Sequence, residues 1–254
     1  MIDLHSHILP GVDDGAATME DALAMARAAS QEGIRTIVAT PHHQNGKYTN
    51  ERTEIIDAVR ELNVVLKDNH IELDVLPGQE NRIYGELIED FRNGEILPLN
   101  ESKYLFVELP SNRIPRFTNQ LFYDIQVEGL QPIIVHPERN QEIMKHPERL
   151  YELVKNGALT QVTATSVAGR FGKKIQKLSE DLIEANLTHI VASDAHSMEG
   201  RGFAMREAYD RIEQEFGNQM VYLFQENAEL IIENSQVMIE PPQKVKQKKF
   251  LGLF

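Results

Sequence analysis

Two histidines, His5 and His7, close the first apolar segment MIDLHSH, and an aspartate pair, Asp13-Asp14, follows a few residues later. On a strand, residues i and i+2 share a face, so both imidazoles can reach one point. That point could be a metal ion. A lone H-x-H is more often just a histidine pair at a strand end, so the rest of the chain has to decide. Further candidates recur in the same kind of place: His42 after TIVATP, Glu80 after LPGQ, Glu108 in YLFVELP, His136 in PIIVHPE, and Asp194 with His196 in IVASDAH. An imidazole or carboxylate at the end of so apolar a strand is costly to desolvate unless a cation or strong hydrogen bonds hold it. Repeated on strand after strand, the pattern points to one shared site.

Nitrogen and oxygen donors without sulfur suit manganese, iron or zinc. The candidates outnumber the ligands of a single ion, which takes about four to six, so two or three ions sharing carboxylates is the natural reading. Clustered cations call for an anionic substrate, and such sites hydrolyse phosphoesters. Arg139, three residues beyond His136, and Arg201, five beyond His196, fit that chemistry, since a guanidinium fork matches phosphate oxygens.

Strand-like segments alternate with helical ones along the whole chain. The strands are expected at Met1 to His5, Ile34 to Thr40, Ile71 to Leu76, Lys103 to Leu109, Gln131 to His136, Thr160 to Thr165 and His189 to Ser193. The first helix has Ala22, Met25, Ala26 and Ala29 on one face, Thr18 and Asp21 as a capping box and Gly33 as its stop. Gly129 and Gly157 mark similar stops. Seven strand-then-helix units imply a parallel sheet. An open sheet would spread the candidates along an edge, whereas a closed barrel brings them to one mouth. A (β/α)7 barrel is therefore expected over residues 1–240, with a separate tail at 241–254.

The 254 residues contain no cysteine, which excludes disulfides and every thiolate mechanism. A net charge of −13 argues against a nucleic-acid partner. The first residues lack the pattern of a secretory signal and no long apolar run occurs, so a cytoplasmic protein is expected. The tail differs from the acidic body: Lys244, Lys246, Lys248 and Lys249 are followed by an apolar tip, Phe250, Leu251, Leu253 and Phe254. It reads either as a disordered end or as a weak anchor to an anionic membrane surface or a membrane-associated partner.

The ordered set MIDLHSH, TPHH, PGQE, the strand-end Glu108, HPER and SDAH resembles the polymerase-and-histidinol-phosphatase (PHP) superfamily. Within it, the chain is most similar to the bacterial manganese-dependent protein-tyrosine phosphatases of the CpsB/YwqE type. The resemblance covers essentially the whole chain. It implies a distorted TIM-like (β/α)7 barrel and a phosphotyrosine protein substrate, typically a cognate bacterial tyrosine kinase controlling capsule or exopolysaccharide synthesis. It also implies that His5, His7, Glu80 and Asp194 hold one ion, Glu80, Glu108 and His136 a second, and Asp13 or Asp14 with His42 and His196 a third. Arg139 and Arg201 would bind phosphate, and His42 or His196 could supply a proton. A histidinol-phosphate or other small-molecule phosphoesterase would share every ligand.

Overall fold

Alternation along the strands sorts their side chains between two cores. Tyr104 and Phe106 face an inner cluster while Leu105 and Val107 face an outer one; Ile133 and Val135 are separated in the same way from Ile134, and Ile190 and Ala192 from Val191. Period-two sorting of strands that are apolar on both faces is what a sheet covered by helices and closed on itself requires. The computed structural model, which describes residues 1–198 and 200–246, has that architecture.

The strands are β1 (Ile2–Ser6), β2 (Thr36–Ala39), β3 (His42–His43), β4 (Asp74–Pro77), β5 (Glu80–Arg82), β6 (Tyr104–Glu108), β7 (Gln131–Val135), β8 (Leu159–Thr163) and β9 (Ile190–Ala192). The helices are α1 (Met19–Glu32), α2 (Arg52–Asp68), α3 (Leu87–Asn93), α4 (Thr118–Val127), α5 (Gln141–Lys145), α6 (Glu148–Lys155), α7 (Ala164–Val167), α8 (Lys173–Glu184), α9 (Met205–Phe216) and α10 (Asn218–Ile232). All strand pairs are parallel, in the orders β1-β2-β4 and β3-β5-β6-β7-β8-β9. Because the chain runs straight from β2 into β3 and from β4 into β5, the two sheets together occupy seven strand positions. The ring closes between β9 and β1, where Ser6 bridges Ala195 and His7 N donates to Ala195 O at 2.8 Å.

Two of the seven expected strands are thus broken in two. Pro41 has no amide hydrogen to give to a ladder, which ends β2. Gly78 lies between β4 and β5, and a Cβ there would sit 2.6 Å from Val38 Cγ1, so the chain crosses the neighbouring strand too closely for a side chain. Below these breaks β4 does not pair with β6, and the turn Leu99–Glu101 lies against both strands. Its Leu99 fills the inner core, and this is the distortion of the barrel. The expected strand ending at Thr165 stops earlier, because Ala164 begins α7. Thr163 N and Ser166 Oγ both donate to the buried Glu138 carboxylate, which caps that turn and ends the strand.

Helix α10 seals the N-terminal end of the barrel. Ala228 and Ile231 enter the inner core, Asn227 Nδ2 donates to His189 O at 3.0 Å, and Tyr104 Oη donates to Ser235 O at 2.5 Å. The opposite end stays open for the site. Residues 241–246 lie back along the barrel: Gln243 N donates to Ala185 O, and Lys246 Nζ meets Glu184 at 2.7 Å. The rest of the tail, including Lys248, Lys249 and the apolar tip, lies outside the described residues. No described helix is long and apolar enough to cross a membrane.

Candidate active site and metal centre

The inward rows end in ionisable groups. Glu108 continues the row Tyr104, Phe106; Asp194 continues Ile190, Ala192; His136 directly follows Val135. At the C-terminal mouth four atoms face one another: His5 Nε2 is 3.6 Å from Glu80 Oε2 and 3.5 Å from Asp194 Oδ1, and His7 Nε2 is 3.4 Å from both. All four residues are buried, and apart from a 2.6 Å contact of Glu80 Oε2 with His42 Nδ1 none of these four atoms has a hydrogen-bond partner. Buried polar atoms left unpaired at such cost, two imidazole lone pairs and two carboxylate oxygens, fit a divalent cation. Their far sides are fixed. His5 Nδ1 meets Gln161 Oε1 at 3.1 Å, and the Gln161 amide nitrogen contacts Ala192 O, so the amide oxygen faces His5 and the Nε2 of His5 is left facing the cluster. His7 Nδ1 is held by Asp13 Oδ2 at 2.6 Å, which does the same for its Nε2.

Two further groups adjoin the first. Glu80 Oε2 also lies 2.6 Å from His42 Nδ1, and Glu108 Oε2 is 3.9 Å from the same nitrogen, so His42, Glu80 and Glu108 form the second. His136 Nε2 bonds the other Glu80 oxygen at 2.8 Å. In the third, Asp14 Oδ1 stands 3.4 Å from His42 Nε2 and 3.5 Å from His196 Nε2, with His7 close by. Asp13 and Asp14 therefore take different places. Both oxygens of Asp13 are engaged, by His7, Gly15 N and His42 N, whereas Asp14 turns into the third group. His43 points away, with its Nδ1 at 2.8 Å from Asn50 O.

The charges are interdependent. Burial by itself would raise the Glu80 carboxyl, but His42, His5 and His136 override it and hold its pKa well below the usual range. Glu108 is pushed up to about 7 by burial and the neighbouring Glu80 charge. Burial works against a charged His42, yet Glu80 and Asp14 raise it to about 10. Burial and Arg139 bring His136 down to about 4. Beside these groups Arg139 Nη2 at 2.5 Å and Arg201 Nη2 at 2.8 Å both donate to Asp194 Oδ2. They flank a cavity of about 260 Å³ whose wall joins His42, Glu108 and His136 to the apolar Leu109, Val135 and Pro137.

The model of the family described as capsular polysaccharide synthesis, CpsB/CapC, matches residues 1–233. The chain belongs to the CpsB/CapC family. It is 50% identical to the tyrosine-protein phosphatase YwqE of Bacillus subtilis (strain 168) over the full length of both chains. It is 31% identical to the tyrosine-protein phosphatase CpsB of Streptococcus pneumoniae, covering 91% of this chain and 98% of that one. A solved structure from a study of YwqE and CpsB, described there as unique metal-dependent tyrosine phosphatases, superimposes with a TM-score of 0.95 at 50% identity. It covers 97% of this chain and all of that one.

Several groups of this CpsB/CapC site escaped the reading of the sequence. Gln161 sits inside an ordinary strand, LTQVT, where a single amide gives no signal. Arg82, two residues after Glu80, pairs with Glu108 at 3.1 Å; a search of that strand end for positive as well as negative charge would have found it. Tyr48 lies parallel to His42 at a ring separation of 6.3 Å, on a loop with no pattern of its own. Two of the site's residues also have left-handed backbones, His136 with φ 37° and Asp194 with φ 53°. Non-glycine residues persist there only where surroundings enforce it. Here the neighbouring strands do so: His136 N donates to Gln161 O and Asp194 N to His5 O, each at 2.8 Å.

Proposed function

We propose that this chain is a metal-dependent protein-tyrosine phosphatase that hydrolyses phosphotyrosine on proteins, a bacterial tyrosine kinase of capsule or exopolysaccharide synthesis among them. The observation that carries this reading is the meeting, at one barrel mouth, of unpaired buried imidazole and carboxylate atoms with two arginines. The names of its full-length relatives support the same activity. We assign His5, His7, Glu80 and Asp194 to one cation, Glu80, Glu108 and His136 to a second, and Asp14, His42 and His196 to a third, with His42 Nδ1 turned to Glu80 so that its Nε2 serves the third. Asp13 orients His7. Two or three Mn²⁺ ions suit this nitrogen and oxygen donor set. Bound divalent cations supply an acidified water and neutralise charge on phosphoryl oxygens.

The chain's own residues do the rest. Arg139 and Arg201 leave Asp194 Oδ2 for the non-bridging phosphate oxygens, where their charge offsets what builds up during transfer. Leu109, Val135 and Pro137 offer an apolar wall to the phenyl ring. Tyrosine's phenol, with a pKa of about 10, leaves with less need of a strong acid than an alkoxide does. We place the enzyme in the cytoplasm, where ATP feeds tyrosine kinases. Weak association of residues 244–254 with an anionic membrane surface belongs to the same proposal, on the strength of their lysines and apolar tip.

The deciding experiment measures phosphate release from a phosphotyrosyl peptide and from histidinol phosphate, before and after metal stripping. Chelation should abolish release from the peptide and Mn²⁺ should restore it, while thiol alkylation should change nothing. Activity that survives exhaustive stripping, or a clear preference for histidinol phosphate, would refute the proposal.

A further inference from the structure

The wall of the cavity continues outwards along residues 110–117. Asn140 Nδ2 donates to Pro110 O at 2.8 Å and to Arg113 O at 3.1 Å, Gln141 N to Ser111 O at 2.8 Å, and Ile114 N to Glu142 Oε2 at 2.8 Å. The loop is therefore fastened to the start of α5, immediately after Arg139. Ser111 and Asn140 line the phosphate cavity; two residues further along each wall, Arg113 and Glu142 line a second groove of about 670 Å³. One groove begins where the other ends.

Its charge is unusual for this chain. Arg113, Arg116 and Arg149 all border it, together with Phe117, which is 44% exposed. The acids in it are occupied: Glu142 receives Ile114 N and lies 3.4 Å from Arg149, and Glu148 lies 3.2 Å from His146. Among the described residues no carboxylate pairs with Arg113 or Arg116. Two exposed guanidinium groups without partners, on a fastened loop of a protein with net charge −13, form a local positive surface against the field of the whole molecule. A nucleic acid would meet repulsion from the rest of that field. A short acidic segment reaching only the groove would not.

Resting on the phosphotyrosine reading above, we propose that this groove is a docking subsite for acidic residues flanking the phosphotyrosine of a protein substrate. Arg113 and Arg116 form the ion pairs, and Phe117 gives an apolar contact between them. The site then selects among phosphotyrosines by sequence context, using residues that do not touch the phosphate.

The test compares kcat/KM for the full chain on phosphotyrosyl peptides with aspartate and glutamate flanks and on the same peptides with lysine flanks, with free phosphotyrosine as reference. Exposed ion pairs of this kind combine to a preference for the acidic peptide of about fivefold, which shrinks as salt rises. In the double variant Arg113→Gln/Arg116→Gln the ratio should fall towards one, and in Arg113→Glu/Arg116→Glu it should invert. A ratio near one in the unsubstituted protein, or one that survives both variants, overturns the docking role while turnover of free phosphotyrosine leaves the activity standing. No turnover of free phosphotyrosine would overturn both.

Discussion

The two neighbouring aspartates give the sharpest test of the site. Asp13 serves three donors: Oδ2 receives His7 Nδ1 at 2.6 Å and His42 N at 3.1 Å, and Oδ1 receives Gly15 N at 2.9 Å. In Asp13→Asn the amide oxygen can still serve His7 and His42, but the NH2 group then faces the Gly15 amide and leaves it unpaired. That mismatch costs about 1–3 kcal/mol of stability. His7 also loses the anion that keeps it basic, and substituting such an outer partner weakens metal binding about 10- to 100-fold, or roughly 1.4–2.7 kcal/mol. The number of sites should not change. Asp14, by contrast, has a side chain that is 46% exposed and faces His42 and His196. Asp14→Asn should cost less stability than Asp13→Asn, because water screens its half-exposed contacts with the two imidazoles, yet remove one anionic donor. Metal-to-protein ratio by elemental analysis and affinity by chelator competition separate the two. Asp13→Asn should reach the full complement at higher free metal, and Asp14→Asn should saturate one ion short. The reverse pattern, with Asp13→Asn short of an ion and Asp14→Asn unaffected, would refute the division of roles.

Arg139→Ala should lower turnover of phosphotyrosine about a hundredfold or more with metal content unchanged, whereas His136→Ala should lower both; metal loss in Arg139→Ala would show that the arginine supports Asp194 and not the substrate. Gly15→Ala places a Cβ 1.9 Å from His7 O and 2.5 Å from His7 Cβ, both fixed atoms, so a loss of about 2 kcal/mol or more and weaker metal binding are expected from thermal unfolding and titration. His42, raised to about 10 in the metal-free protein, is protonated across the neutral range. A cation must displace that proton, so affinity should rise with pH towards 10 and fall as pH drops, with proton release near pH 7 seen by calorimetry in buffers of different ionisation enthalpy. Binding without proton release would contradict the raised pKa.

The barrel was legible because its strands are short, apolar on both faces and separated by helical segments with clear stops. Thr18 and Asp21 form the expected capping box, and Gly33, Gly129 and Gly157 all have the left-handed backbone that a helix stop needs. What stayed hidden depends on neighbours distant in sequence. The break between β4 and β5 follows from the approach of Gly78 to Val38, forty residues earlier, and the early end of β8 from a carboxylate at Glu138. The pattern within either segment contains neither contact.

The same limit divides the site. His5, His7, Glu108, His136 and Asp194 were visible because each is an expensive residue in a cheap place, an ionisable group at the end of an apolar run, and Glu80 because it stands just past an expected strand, after Pro77 and Gly78. Gln161 carries no charge and interrupts a strand of threonines, so nothing local marks it, yet it decides which nitrogen of His5 faces the cluster. Asp13 and Asp14 show why spacing alone cannot finish the assignment. Two adjacent carboxylates in a loop have no periodicity to separate them, and their roles are set by a turn in which Gly15 passes against His7. Ala16 N bonds back to His7 O at 3.0 Å, and this draws Asp13 behind the imidazole and leaves Asp14 facing the mouth. Residues that face the cluster are thus announced by their own chemistry. Those that aim them are announced only by the chain's path, which is why Gly15→Ala should disturb the metal site without removing a single donor atom.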